Sequence, residues 1–173
     1  EALRRAERCI DAFLLNPDDP NDIYVEGQYG FFYHFIEPET GKRSQTCELS
    51  SIDTAILVMG VLTAGEYFGG SIQSKAEQIY ANIDWSKMLD SKTNTFYMSW
   101  TPENSFAKAK WDYYTDESLL VTLLALGSPR QEIDPKVFYT WQRDASDSLP
   151  GKEFIHSWTG SLFTYQYAHA WID

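Results

Sequence analysis

A chain of 173 residues is long enough for one domain with a real core. Its formal net charge of −11 argues against a nucleic-acid or anionic-membrane surface, because both call for clustered Lys and Arg, while a neutral ligand is compatible with it. Aromatic residues make up 16 % of the chain, with 6 Trp and 11 Tyr; such rings fill cores, and beside acids they also suit sugars, whose faces are apolar and whose edges carry hydroxyls.

Cys9 and Cys47 are too few for a disulfide framework and are expected to be free and buried. No uninterrupted apolar run of about 18 residues is found, so no membrane span is expected. No signal peptide is visible. Glu1 already stands in a helical pattern, so the true start is expected upstream, and the compartment stays open.

Residues 2–15 place Leu3, Ala6, Ile10, Phe13 and Leu14 at helical spacing with Arg4, Arg5 and Arg8 outside, an amphipathic helix. The run from Asn16 to Asp22 ends it. Its acids lack the glycine and distal glutamate of a calcium loop, and it reads as a Pro- and Asx-rich turn. Gly30-Phe31-Phe32-Tyr33-His34-Phe35-Ile36 reads as a strand, Pro38-Glu39-Thr40-Gly41 as a turn, and residues 42–49 as a return strand. His34 fits either a ligand-binding group or a packed, hydrogen-bonded histidine.

Residues 51–68 follow as a helix opened by Ser50 or Ser51 as N-cap, with Asp53 at capping-box spacing from Ser50, and Gly69-Gly70 as its stop. From Thr54 to Ala64 it carries no charge, so burial on all sides is expected. Ile72, Ala76, Ile79 and Tyr80 mark an amphipathic helix after it. Residues 84–89 form a short helix or turn, and residues 95–100 a strand that Pro102 breaks.

The plan then recurs. Trp111-Asp112-Tyr113-Tyr114-Thr115-Asp116-Glu117 leads into Ser118-Leu119-Leu120-Val121-Thr122-Leu123-Leu124-Ala125-Leu126, a second charge-free helix expected to be buried, with Gly127 and Pro129 ending it. Residues 135–144 read as an amphipathic helix, Pro150-Gly151 as a loop, and residues 162–171 as an aromatic segment. Two units thus share an aromatic strand or loop, an acid at a helix start, a buried helix and an outer helix. Alternating inner and outer helices point to a mainly α toroid of helical hairpins with short β-hairpins in its loops; a helical repeat array is the rival architecture.

In a toroid the N-termini of inner helices gather on one face. Glu48, Asp53 and Glu117 would then meet one cleft, walled by Trp100, Trp111, Tyr113, Tyr114 and the aromatics of residues 31–35. Glycoside hydrolysis needs a carboxylic acid to protonate the leaving oxygen and a second carboxylate as base or nucleophile. An apolar wall raises the pKa of the first, and Glu117 fits that role. The alternative is that these acids only cap helices and meet their dipoles, worth ~0.3–1 kcal/mol each.

Together these motifs resemble the glucoamylase-like domain of endo-β-1,2-glucanases and of cyclic β-1,2-glucan synthases. The matching stretches are Gly30-Phe31-Phe32-Tyr33-His34-Phe35 with Thr40-Gly41, Cys47-Glu48-Leu49-Ser50-Ser51-Ile52-Asp53-Thr54-Ala55, Trp100-Thr101-Pro102-Glu103, and Trp111-Asp112-Tyr113-Tyr114 with Glu117. Leu124-Ala125-Leu126-Gly127-Ser128-Pro129, and Leu162-Phe163 with Gln166-Tyr167-Ala168-His169-Ala170-Trp171-Ile172-Asp173, complete the set. The resemblance implies an (α/α)6 toroid and a glycoside hydrolase acting on a β-glucan, of the β-1,2 type. A non-catalytic carbohydrate-binding protein on the same fold is the alternative. By this resemblance Glu117 is the general acid, and Glu48 and Asp53 line the same cleft; together with Trp111, Tyr114, Trp100 and His34 they are the residues expected to meet an oligo- or polysaccharide. No cofactor, metal, nucleic acid or membrane span is implied, and a periplasmic or secreted location is favoured.

Two departures carry weight. The family often has Tyr-Ser-Glu-Ala where this chain has Tyr114-Thr115-Asp116-Glu117-Ser118, which leaves Asp116 as an alternative register for the acid. The family's domain is also considerably longer and continues past the His-Ala-Trp-Ile-Asp motif. Residues 1–173 are therefore expected to be its N-terminal half, aggregating when expressed alone, with the catalytic base on a later segment.

Overall fold

The computed structural model describes residues 1–14, 24–149, 152–157 and 159–172. The acidic turn at residues 16–22 and the Pro150-Gly151 loop lie outside them. Helix α1 (Ala2–Asp11) opens on Glu1, whose carboxylate takes Arg4 and Arg5, and it buries Ile10. Strands β1 (Gly27–Gln28) and β2 (Phe31–Phe32) pair antiparallel through Tyr29 and Gly30, both at positive φ (57° and 84°), as a tight hairpin turn requires. A Cβ on Gly30 would stand 2.4 Å from the Asn82 carbonyl oxygen, so this turn accepts no side chain there.

The expected hairpin of residues 30–36 with 42–49 is replaced by a looser arrangement. Phe31 and Phe32 pair upstream with β1, and strand pairing between the two segments is reduced to the isolated bridges Tyr33 to Leu49 and Ile36 to Arg43. Strand β3 (Leu49–Ser50) pairs instead with β6 (Ser99–Thr101), which continues to β7 (Ser105–Phe106). A second small sheet joins β4 (Leu89–Asp90), β5 (Thr95–Tyr97) and β8 (Lys110–Trp111). Met98 therefore splits the strand expected over residues 95–100. The Met98 carbonyl accepts from the Ser51 N–H at 3.1 Å and from the Ser51 hydroxyl at 2.9 Å, so the break is also the anchor of the helix that follows β3.

That helix is α2 (Ser51–Phe68), with Ser50 as its N-cap accepting from the Asp53 N–H at 3.2 Å. Gly69 ends it, and α3 (Gly70–Asn82) turns back against it, burying Ile72, Ala76 and Ile79. Helix α4 (Asp116–Leu126) begins in a capping box: Thr115 Oγ1 accepts from Ser118 N–H at 3.0 Å, and Ser118 Oγ accepts from Thr115 N–H at 2.9 Å. The main core gathers Ala55 and Val58 of α2, Val121, Leu124 and Ala125 of α4, and Phe31, Leu49, Trp85, Phe96 and Trp111 from the loops and strands.

Burial on all sides holds for neither apolar helix. In α2, Ala55, Val58 and Val61 are buried, but Gly60, Thr63 and Tyr67 are exposed, Tyr67 to 81 %. In α4 the stripe Leu119, Leu123, Leu126 is half-buried. Although acids and hydroxyls interrupt it, α2 has 18 residues at a mean hydropathy of 1.2, enough to cross a membrane by length and composition alone, a test that a packed core helix also passes. In the fold it packs against α3 and α4. The cysteines are both free as expected, but Cys9 is exposed, and Cys47 is half-buried with its thiol donating to the Phe35 carbonyl.

The amphipathic helix expected over residues 135–144 shrinks to one 3₁₀ turn, Pro135–Tyr139, capped by the Asp134 carboxylate. The β-branched and aromatic run Val137-Phe138-Tyr139-Thr140-Trp141 has poor helix propensity. The backbone beyond it instead lies along residues 112–114, with Gln142 N–H on Asp112 O and Tyr114 N–H on Gln142 O. An unforeseen hairpin follows, β9 (Asp144–Leu149) with β10 (Lys152–His156). The aromatic segment after it forms α5 (Phe163–Gln166) and a 3₁₀ turn, Ala168–Ala170.

The sheet β4–β5–β8 is closed by an ion pair between Lys110 Nζ and Asp90 Oδ2. This ion pair, with the Lys92 N–H, holds the Asp90 carboxyl down at about 2. A carboxyl depressed in the folded state stabilises it above the unfolded value near 4 and loses that contribution as pH falls towards 2. Thermal stability is therefore expected to drop across that window, and less so in Lys110→Met; equal acid sensitivity of the two proteins in calorimetric scans would refute the assignment.

Candidate active site

The first turns of α2 and α4 lie on one side of the fold, linked by Trp111. Its indole N–H donates to Ser51 Oγ at 2.9 Å, and the Ser51 hydroxyl in turn faces the Tyr97 and Met98 carbonyls. Trp111 is thus a core residue, 7 % exposed, that also forms one wall of a cavity of about 700 Å³. Met98, Tyr113, Thr115, Glu117 and Thr159 line the same cavity.

Glu117 is half-buried there. Burial, and then the negative charge of Asp53, push its carboxyl above the usual carboxylate range. Asp116, the neighbouring register, has another task. It is 2 % exposed, its Oδ2 accepts from the Ala168 N–H at 2.9 Å, and the Tyr114 hydroxyl hydrogen-bonds to it. Asp116 therefore fastens the last aromatic segment to the start of α4.

Glu48 and Asp53 are joined through His34. The His34 Nδ1 stands 2.7 Å from Glu48 Oε1, and its Nε2 stands 3.7 Å from Asp53 Oδ2. The hydrogen bond from His34 holds the Glu48 carboxyl below its ordinary range. An ionised carboxylate only accepts, so Nδ1 carries the proton. Asp53 Oδ2 also accepts from the Ser50 hydroxyl at 2.5 Å. Phe35, 60 % exposed, stacks on the imidazole with ring centres 4.2 Å apart.

The three acids do not share one closed pocket. Glu117 faces the large cavity; Asp53 and His34 face a smaller one of about 190 Å³ with Phe32, Tyr33 and Leu57; Glu48 faces a third beside Cys47. Asp53 is the link, since its charge is felt at Glu117. Tyr114 stands apart from the Glu117 cavity, its ring against Trp141 and its hydroxyl on Asp116. Trp100 is a sheet residue of β6, paired with Leu49 and Phe106 and packed on the core. Sequence reasoning passed over Tyr167, whose hydroxyl is pushed up by burial and then by the charges of Glu117 and Asp53. Its place in the Gln166-Tyr167-Ala168-His169 motif was the available signal.

The fold thus sets a half-buried glutamic acid, biased by the charge of Asp53, on a cavity lined by Trp111 and Tyr113. Residues 108–173 match the Glycoamylase family model, described as "Putative glucoamylase". The chain is 25 % identical over 155 residues to an exo β-1,2-glucooligosaccharide sophorohydrolase (non-reducing end) of Parabacteroides distasonis, a stretch covering 79 % of this chain and 21 % of that protein. It superposes on an endo-β-1,2-glucanase from Chitinophaga pinensis, solved with sophorotriose and glucose, with a TM-score of 0.75 at 19 % identity over 99 % of this chain and 44 % of that one. The β-1,2-glucanase from Parabacteroides distasonis gives a TM-score of 0.65 at 21 % identity, covering 80 % of this chain and 20 % of that one. The resemblance to the glucoamylase-like β-1,2-glucanases read from the motifs is thereby borne out. The chain spans about a fifth of the length of the curated relative it matches.

Proposed function

We propose that this chain is part of an (α/α)6 toroid that hydrolyses a β-glucan, with β-1,2-linked glucan as the substrate class and Glu117 as the general acid. The observation that carries the reading is the state of Glu117: a carboxyl half-buried on a large aromatic-walled cavity and biased towards its protonated form by burial and by Asp53. A general acid must carry a proton to give to a leaving glycosidic oxygen, and a raised pKa favours that form. The names of the relatives support the substrate class. Trp111 and Tyr113 offer the wall, and His34, Glu48 and Asp53 the polar groups beside it.

The base of the pair is proposed to come from a segment outside residues 1–173. Asp53, whose charge acts on Glu117, is engaged by Ser50 at the start of α2, and Glu48 by His34. In an inverting enzyme that base would hold a water ~6.5–9.5 Å from the acid. The same engagement favours the second reading, a carbohydrate-binding protein without turnover. Reducing-end release by the full-length protein from β-1,2-, β-1,3-, β-1,4- and β-1,6-glucans decides between them. Release from the β-1,2 substrate is expected; release only from another linkage removes the substrate class, and binding without release supports the second reading.

A further inference from the structure

The glutamate of the Trp100-Thr101-Pro102-Glu103 motif takes part in a long-range contact with Arg43. Glu103 sits in the turn between β6 and β7, and its two carboxylate oxygens accept from Arg43 Nη1 at 2.7 Å and from Nη2 at 3.0 Å. The Arg43 side chain is only 11 % exposed. Its Nε donates to the Cys47 carbonyl at 2.7 Å, and its guanidinium lies over the Tyr33 ring, 5.0 Å from the ring centre. Its own N–H donates to Glu26 Oε2 at 2.7 Å. Tyr33 and Cys47 are the residues immediately before His34 and Glu48. One guanidinium therefore grips the residue preceding each member of the His34–Glu48 pair, and the His34 N–H on the Glu48 carbonyl at 2.9 Å closes the arrangement.

We propose that Arg43, held in place by Glu103, is a positioning residue that sets the distance between the His34 imidazole and the Glu48 carboxylate. The proposal rests on the reading of this cleft as a glycosidase site only for its effect on turnover. Three fixed directions are asked of the side chain: Nε to a carbonyl, the two Nη to a carboxylate, and the flat face to a ring. A planar guanidinium meets all three at once, and an ammonium cannot. The grip is also independent of the β3–β6 pairing, which positions Leu49 but leaves residues 44–48 to be held by other contacts.

The test uses the full-length protein with ¹⁵N-labelled histidine, and Arg43→Lys and Glu103→Gln as variants. In the parent, the His34 signals should report a proton on Nδ1, hydrogen-bonded to Glu48. Arg43→Lys should lose that fixed Nδ1 tautomer signal and lower kcat/KM on β-1,2-gluco-oligosaccharides by about 10–10²-fold, the scale expected for a misplacement of about 1 Å. Glu103→Gln leaves the Nε bond to Cys47 and should fall between Arg43→Lys and the parent in both readouts. A lower melting temperature with the tautomer and kcat/KM intact would reduce the clasp to a structural one and overturn the proposal. If the parent shows no turnover on any glucan, the functional reading fails while the tautomer still decides the role of Arg43. An unchanged tautomer in Arg43→Lys overturns it in either case.

Discussion

Replacing Glu117 by Gln in the full-length protein is expected to lower turnover on a β-1,2-glucan by ~10²–10⁴-fold, the usual cost of losing a general acid. The side chain is half-buried and has neither an ion pair nor a hydrogen bond of its own among the described contacts, so an amide of the same shape should change the melting temperature little. The pH profile gives an independent check. A general acid works in its protonated form, so activity falls as pH rises through its pKa. Burial and then the charge of Asp53 raise that pKa. Asp53→Asn removes the charge, makes ionisation of Glu117 easier, and should move the alkaline limb of kcat/KM to lower pH. A limb that stays in place, or full activity in Glu117→Gln, would assign the acid role elsewhere.

Asp116→Ala should produce the opposite pattern, a stability defect first. The carboxylate is buried and accepts from the Ala168 N–H at 2.9 Å, so its loss strands a buried donor. Hydrogen bonds to charged groups are worth ~1.5–3 kcal/mol, and the melting temperature should fall by about 3–12 °C. Hydrogen exchange should quicken at Ala168 and its neighbours in the 3₁₀ turn Ala168–Ala170, while the start of α4 keeps its Thr115–Ser118 capping box. Activity abolished at an unchanged melting temperature would instead mean that the acid register belongs to Asp116.

The outcome for these adjacent acids shows how far the residue pattern reaches. Both stand in the first turn of a helix that carries no charge beyond them, where spacing treats them alike. The side-chain directions differ by the rotation of one helical residue, which sends Asp116 to Ala168 and Glu117 to the cavity. Tyr114 and Trp100 show the same limit. An aromatic residue near an acid in the chain was expected on the cleft wall, but Tyr114 turns to Trp141 and Trp100 to its strand partners. The helix expected at residues 135–144 failed because its β-branched and aromatic run is a poor helix former and Gln142 beyond it pairs with the backbone of Asp112 and Tyr114.

What the sequence determined by itself was what local physics carries. An N-capping serine, a charge-free run and a Gly-Gly stop specify α2 within its own residues, and the amphipathic spacing of Ile72, Ala76 and Ile79 specifies α3. The order of the family motifs likewise pointed to the glucoamylase-like class. The tertiary structure decided what depends on residues distant in the chain: Arg43 on Glu103, Asp116 on Ala168, Trp111 on Ser51, and the approach of Asp53 to Glu117 that biases the proposed acid. Hydrogen bonds and charge effects act over a few ångströms, and no periodicity records which distant residues packing will bring within that range.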